Sequence, residues 1–384
     1  MNNPATNAPI FDESIVGNHL SKLDLPFWQT VLNFYNNQQY KETVLAVLDY
    51  IDKDITKTRG NATLDEFVIP HGSFQVTISL KDNTFTVRAP FLKLPSTGAI
   101  ALLRQLTEIN FSFLDLSQIV LHDNELYFEY SCPFETCEPY KLYNIFNEIC
   151  RNGDYYDDLF IEKFKAEHIV EPPVKSFTPE QKDQAWQKFQ EYVDEGLAYF
   201  DYFQSKRWDG LYWEALINTL KKIDYFMGPQ GFLRSDIEKN IGDLNNRSLP
   251  FMDVVARGKD FLLKLKAMDR AKLESCLYIS NCFISVRVRA DLGHIQNVLR
   301  PMYDRARNDR ISGNHMSTTS GLFYAIFELF YGSDLGDAAI AEKIINTAKT
   351  ASGKTWEEAS DILWKGLTEI MDMKVGQDQM PVSQ

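Results

Sequence analysis

Paired metal-binding cysteines, clustered histidines, catalytic signatures and long apolar runs are all missing from this 384-residue chain. Its five cysteines, Cys132, Cys137, Cys150, Cys276 and Cys282, include no C-x-x-C pair. An odd set with such spacing absent points to reduced, largely buried thiols rather than a disulfide framework. The six histidines are scattered, none three or four residues from another, so no metal site is expected. No G-x-S-x-G nucleophile elbow occurs. The most apolar helical stretch, Gly321 to Tyr331, is interrupted by Glu328 and is too short to cross a bilayer. Met1 to Asn18 is polar, so no secretory leader is expected there. These absences together predict a cytoplasmic, non-enzymatic protein with no cofactor and no metal.

Positive charge is short as well. Forty Lys and Arg face 53 Asp and Glu, a net charge of −13. Such a surface repels phosphate backbones and anionic lipid unless its basic residues gather on one face. Neither nucleic acid nor membrane insertion is therefore expected. Aromatic residues, by contrast, are plentiful: 26 Phe and 18 Tyr. Rings of this size are expected to dominate the cores and to leave some over for contact surfaces.

The chain reads as α+β: an N-terminal unit with an antiparallel sheet, followed by an all-helical bundle. Residues 1–23 are polar and expected to fray. Residues 24–168 carry the mixed pattern. A helix with Val44, Leu45, Val47, Leu48 and Ile51 inward precedes strands beginning at Glu66. Phe74, Val76, Ile78 and Leu80 alternate with Gln75, Thr77 and Ser79. Lys81-Asp82-Asn83 turns the chain, and Thr84 to Arg88 continues the alternation. A helix with Ile100, Leu103, Leu106 and Ile109 on one side follows, then a second hairpin turning at His122-Asp123-Asn124. Tyr140 to Cys150 is a closing helix, extended by Tyr155 to Phe164 after an Asn152-Gly153 break.

Residues 169–177 read as a linker around Pro172-Pro173, where a helix cannot continue. Thr178-Pro179-Glu180-Gln181 is a capped helix start. Over 178–373 only helices are predicted, including one from Lys272 to Arg287, and 374–384 is a loose polar tail.

The unit over residues 40–168 resembles the type III secretion chaperone and YbjN-like group of small α+β domains. The resemblance rests on the opening helix Tyr40 to Ile51, the hairpin ending Val87-Arg88-Ala89-Pro90-Phe91, and the middle helix Thr97 to Asn110. It continues through the second hairpin with Asp123-Asn124-Glu125-Leu126-Tyr127 and the Asp157-Asp158-Leu159-Phe160 ending. It implies a binding module, often dimeric, that shields a partner's apolar segment or serves as an adaptor. A homodimer is accordingly one expected assembly. The group has no shared catalytic set, and the helical half lies outside the pattern.

On this reading an edge strand or the apolar face of the Glu66 to Tyr130 sheet accepts a partner segment. Phe74, Val76, Phe85, Val87 and Tyr127 are its candidate contact residues. Arg287 and Arg289, in a basic stretch running to Arg310, are candidates for a second contact, although pairing with nearby carboxylates accounts for them more simply. Two alternatives remain: a helical scaffold whose C-terminal half binds, and an enzyme whose site is assembled from distant residues. Ala348 to Thr355 loosely fits a phosphate-binding loop, but helix precedes it and Thr355 reads as a helix cap.

Overall fold

A computed structural model of the chain describes residues 3–16, 22–171, 174–285 and 287–374. Pro172-Pro173 of the expected linker and residues 375–384 of the expected tail lie outside the described residues. Among those described, the chain divides into two units. One falls within Ser21–Ser176 and Tyr278–Val286, the other within Met1–Leu20, Phe177–Leu277 and Arg287–Gln384.

The first unit is the α+β one. Helices α1 (Trp28–Asn36), α2 (Tyr40–Ile51) and α3 (Ile55–Arg59) lead into strands β1 (Glu66–His71), β2 (Phe74–Lys81) and β3 (Thr84–Lys93). Helix α4 (Ala99–Ser112) precedes β4 (Gln118–His122) and β5 (Glu125–Pro133), and α5 (Pro139–Phe164) closes the run. The antiparallel sheet has the order β1-β2-β3-β5-β4, and a short β6 (Glu167–His168) pairs with β3. Both hairpins turn as expected. Asp82-Asn83 and Asp123-Asn124 all have positive φ, which two-residue turns matched to the strand twist require.

Alternation sets the core. Every second residue of β2, from Phe74 to Leu80, is buried beneath helices. Helix α5 runs unbroken for 26 residues, through the expected Asn152-Gly153 break. Gly153 is there for space rather than for a turn, since a Cβ would stand 2.6 Å from the Phe74 ring.

The same unit takes in residues distant in sequence. Instead of the helix predicted from Lys272 to Arg287, only α10 (Arg270–Glu274) forms, and the chain beyond it joins the sheet unit. There β8 (Tyr278–Ile279) pairs with β7 (Lys175–Ser176), and Gly72 N–H donates to the Asn281 carbonyl at 2.8 Å. His71 Nδ1 accepts the backbone N–H groups of Phe283 and Ile284 at 3.2 and 3.4 Å. Phe283 and Ile284 are buried, with the Phe283 ring edge-on to Phe146. The aromatic and β-branched run Tyr278 to Ile284 has more apolar surface to bury here than on a lone helix face, and tertiary packing overrides local propensity.

The second unit is helical: α6 (Pro179–Ser205), α7 (Asp209–Met227), α8 (Gly231–Asn245), α9 (Phe251–Lys266), α10, α11 (Leu292–Ile311), α12 (His315–Gly332), α13 (Ala338–Ala351) and α14 (Trp356–Met371). A parallel pair of short strands, β9 (Val288–Ala290) and β10 (Ser333–Leu335), interrupts the expected all-helical pattern. Thr178 and Thr355 both close capping boxes, with Gln181 and Glu358. Thr355 is thus a helix cap following α13, and no strand feeds the Gly353 turn.

Helix α7 is buried nearly all round, yet four of its charged side chains are buried with it. Each pairs with a different element: Glu214 with Arg305 on α11, Lys221 with Glu328 on α12, Lys222 with Glu195 on α6, and Asp224 with Arg287 ahead of β9. Burial pulls the Lys221 ammonium below its ordinary pKa and pushes the Glu214 carboxyl above its own.

Residues 3–16, expected to fray, pack on these helices. Ile10 N–H donates to Glu195 at 2.9 Å while Lys222 donates to the Ile10 carbonyl at 3.1 Å. Phe11 is buried among Tyr225, Phe327 and Phe330. The segment is polar in composition, yet Ala8 and Phe11 are buried. Phe11→Ala should lower the unfolding free energy by about 3–5 kcal/mol, and Glu195→Ala, which strands Lys222, by about 3–5 kcal/mol. Because both loosen the same segment, the double variant should lose less than the sum. Urea denaturation of the full chain checks all three.

Candidate partner-binding surface

Four of the sequence-predicted contact residues are core. Phe74, Val76, Phe85 and Val87 are buried, pointing from β2 and β3 into the interior of the α+β unit. Their alternation marks the helix-covered face of the sheet, so they cannot meet a partner. Tyr127 is on the opposite face, half-buried, with the Arg88 guanidinium 3.8 Å above its ring and its hydroxyl donating to Glu125. Arg88 also pairs with Glu129 at 2.9 Å. That outer face otherwise carries mostly Thr, Ser, Gln and charged side chains, with Val68, 41% exposed, in register with Thr77 and Arg88.

Arg287 and Arg289 lie in the helical unit and face carboxylates of their own chain. Arg287 donates to Asp224 at 3.1 Å, and Arg289 stands opposite Asp334 in the β9–β10 register. Burial raises the Asp334 carboxyl from its ordinary 3.8 to about 6, against the pull of Arg289 and then Arg287. Folded Asp334 therefore keeps its proton where the unfolded chain releases it. Between pH 3.8 and about 6 the folded state binds more protons, so rising pH weakens it, and the deficit is constant above that window. Relative to Asp334→Asn, the wild type should lose stability across this interval, as chemical denaturation at stepped pH will measure.

The strand edges are managed. At the β4 edge the Asn110 side chain accepts the Ile119 N–H at 2.8 Å and donates to the Ile119 carbonyl at 3.0 Å. An incoming strand would need those two backbone groups. On the other side, β1 meets Gly60 through a bridge at Phe67. Strand addition to either edge thus meets a bond already made. Asn110→Ala should cost about 1–3 kcal/mol, since two backbone bonds are lost, and should raise the concentration-dependent light scattering of the chain by baring the edge.

The most exposed large apolar side chains of this unit lie on α4 and just past its end. Phe111, next to Asn110, is 88% exposed, the highest value for a large apolar side chain among the described residues; Ile100 is 71% and Phe113 55% exposed. Ile100 and Phe111 sit eleven positions apart on α4, about three helical turns, and so share one side of it. Leu121 of β4 is also exposed, and the Phe113 ring approaches Tyr156 of α5. Sequence reasoning placed Ile100 on the inward side with Leu103, Leu106 and Ile109. The buried stripe is Leu102, Leu106 and Ile109, which turns Ile100 outward. The clue available was Phe111 and Phe113: two aromatics flanking a helix end, off the stripe that Ile109 defines.

The helical unit has a cleft of about 380 Å³ between the starts of α7 and α12, lined by Trp208, Asp209, Leu211, Arg305, Asn314 and Ser317. Its cation is committed within the unit: Arg305 pairs with Glu214 and Asp309 and donates to Ser317 at 2.8 Å. Among the described residues no group of three His, Cys, Asp or Glu could hold a metal, and no helix is long and apolar enough to cross a membrane.

No family model matches the chain, and no curated protein matches it.

Proposed function

We propose that this chain is a non-enzymatic binding protein of chaperone or adaptor type, whose α+β unit holds an apolar segment of another protein along α4 and the β4 side. The exposure of Phe111, with Ile100 and Phe113 on the same helix and its end, carries the reading. Monomeric surfaces scatter single apolar residues. Several large ones together on a unit whose core is already filled mark a contact site. The element order α2, three strands, α4, two strands, α5 supports it through the resemblance to secretion-chaperone and YbjN-like modules. The partner segment is a helix or extended chain with its own apolar stripe, docking by side chains rather than by backbone pairing, because Asn110 occupies the edge.

The test is affinity purification of the tagged full chain from its native cells, against an Ile100→Ser/Phe111→Ser double variant. A stoichiometric protein partner lost from the variant, with the thermal midpoint of the chain unchanged, is the expected result, since exposed substitutions shift stability by only about 0.5 kcal/mol each. A partner that stays with the variant would move the contact to the helical unit, where Ile311 is 81% and Met252 58% exposed. Recovery of the chain alone, monomeric by light scattering, would overturn binding as its role.

A further inference from the structure

Two thiols of the α+β unit are in contact. Cys132 sits in β5, paired across to Phe85 of β3, and Cys137 follows a short turn just before α5. Their sulfurs are 3.7 Å apart, which is van der Waals separation, and both are free. A disulfide needs them at about 2.05 Å, so the two sulfurs have less than 2 Å to close. The two differ in access: Cys132 is half-buried, Cys137 fully buried. Lys141, one turn into α5, holds its ammonium at the Thr136 carbonyl (2.9 Å) and beside the Tyr130 ring, so a cation stands next to this turn. The other cysteines are placed otherwise. Cys150 and Cys276 are buried, and the Cys282 thiol donates to the Ile284 carbonyl at 3.2 Å.

We propose that Cys132 and Cys137 are a reversible redox pair that takes a low-molecular-weight disulfide as its oxidant. Cys132, the sulfur that solvent reaches, gives up its proton and attacks one sulfur of the disulfide RSSR. The RS–SR bond breaks, a Cys132–SR mixed disulfide forms, and RS⁻ leaves and takes up a proton. Cys137 then loses its proton and attacks the Cys132 sulfur from 3.7 Å, forming the Cys132–Cys137 bond and expelling the second RS⁻, which is protonated in turn. Two protein thiols are oxidised and one RSSR is reduced to two RSH. Burial pushes the Cys137 thiol well above its ordinary pKa, so the buried sulfur is the resolving one and the accessible sulfur the entry point. The bond closes the ring of residues 132–137 and ties the end of β5 to the turn that caps α5.

The experiment exposes the folded full chain to graded mixtures of reduced and oxidised glutathione, quenches with an alkylating reagent, and maps the products by mass spectrometry. Cys132 and Cys137 share one tryptic peptide, from Gln105 to Lys141. The expected result is that this peptide becomes two hydrogens lighter and escapes alkylation as the oxidised fraction rises, reversibly, while Cys150 and Cys276 stay reduced. Cys137→Ser should trap the glutathione adduct on Cys132, and Cys132→Ser should leave Cys137 unmodified. The proposal is overturned if both thiols remain alkylatable in fully oxidised glutathione. It is equally overturned if the adduct persists on Cys132 in the wild type, or if oxidation spreads to Cys150 and Cys276. The wild-type result stands by itself even if a variant folds poorly.

Discussion

A charge inside a protein must have its counter-charge, and α7 applies that rule four times along one helix. Glu214, Lys221, Lys222 and Asp224 are all buried, and each finds its partner on a different element. Leaving any one of them alone would cost several kcal/mol. The placements of α6, α11, α12 and the segment entering β9 against α7 are therefore tied to one another. A slide of any of these elements by a turn would break an ion pair as well as repack side chains. The aromatic rings around Lys221 and Lys222, from Tyr324 and Tyr192, complete the surroundings of two ammonium groups that water does not reach.

The α+β unit is organised differently, by period and by what is done with its margins. One face of the sheet is covered, the other is solvated, and Asn110 takes the two backbone groups of Ile119 at the β4 edge. What remains unsatisfied is side-chain surface, on α4 and beyond its end. A unit so arranged discriminates between partners by the shape of apolar groups, since hydrogen-bond templating, which accepts almost any extended sequence, is blocked at that point.

Much of this fold was legible in the sequence. The alternation in β2 and β3, the Asp82-Asn83 and Asp123-Asn124 turns and the Thr178 and Thr355 caps are local signals, and local geometry honoured them. The contact residues were not legible. Alternation reports that a strand has a buried face, and Phe74, Val76, Phe85 and Val87 are that face. The same regularity that made them conspicuous placed them inside. Leu233, Ile237, Ile241 and Leu244 keep the helical spacing that α8 follows from Gly231 onward. Residues 3–16 and 278–285 have no period at all. Their structure is dictated by distant partners such as Glu195, Tyr225, His71 and Phe146, which no window of sequence contains.

The route of the chain through its two units bears on how it is made. The cage around Phe11 is built from Tyr225, Phe327 and Phe330, and the turn that receives Asn7 lies at Gly353. Residues that leave the ribosome early thus wait for more than three hundred others before their site exists. The sheet core likewise stays open until Phe283 and Ile284 arrive. Throughout synthesis the nascent chain carries apolar segments with nowhere yet to go, and neither unit can be finished by a single stretch of translation.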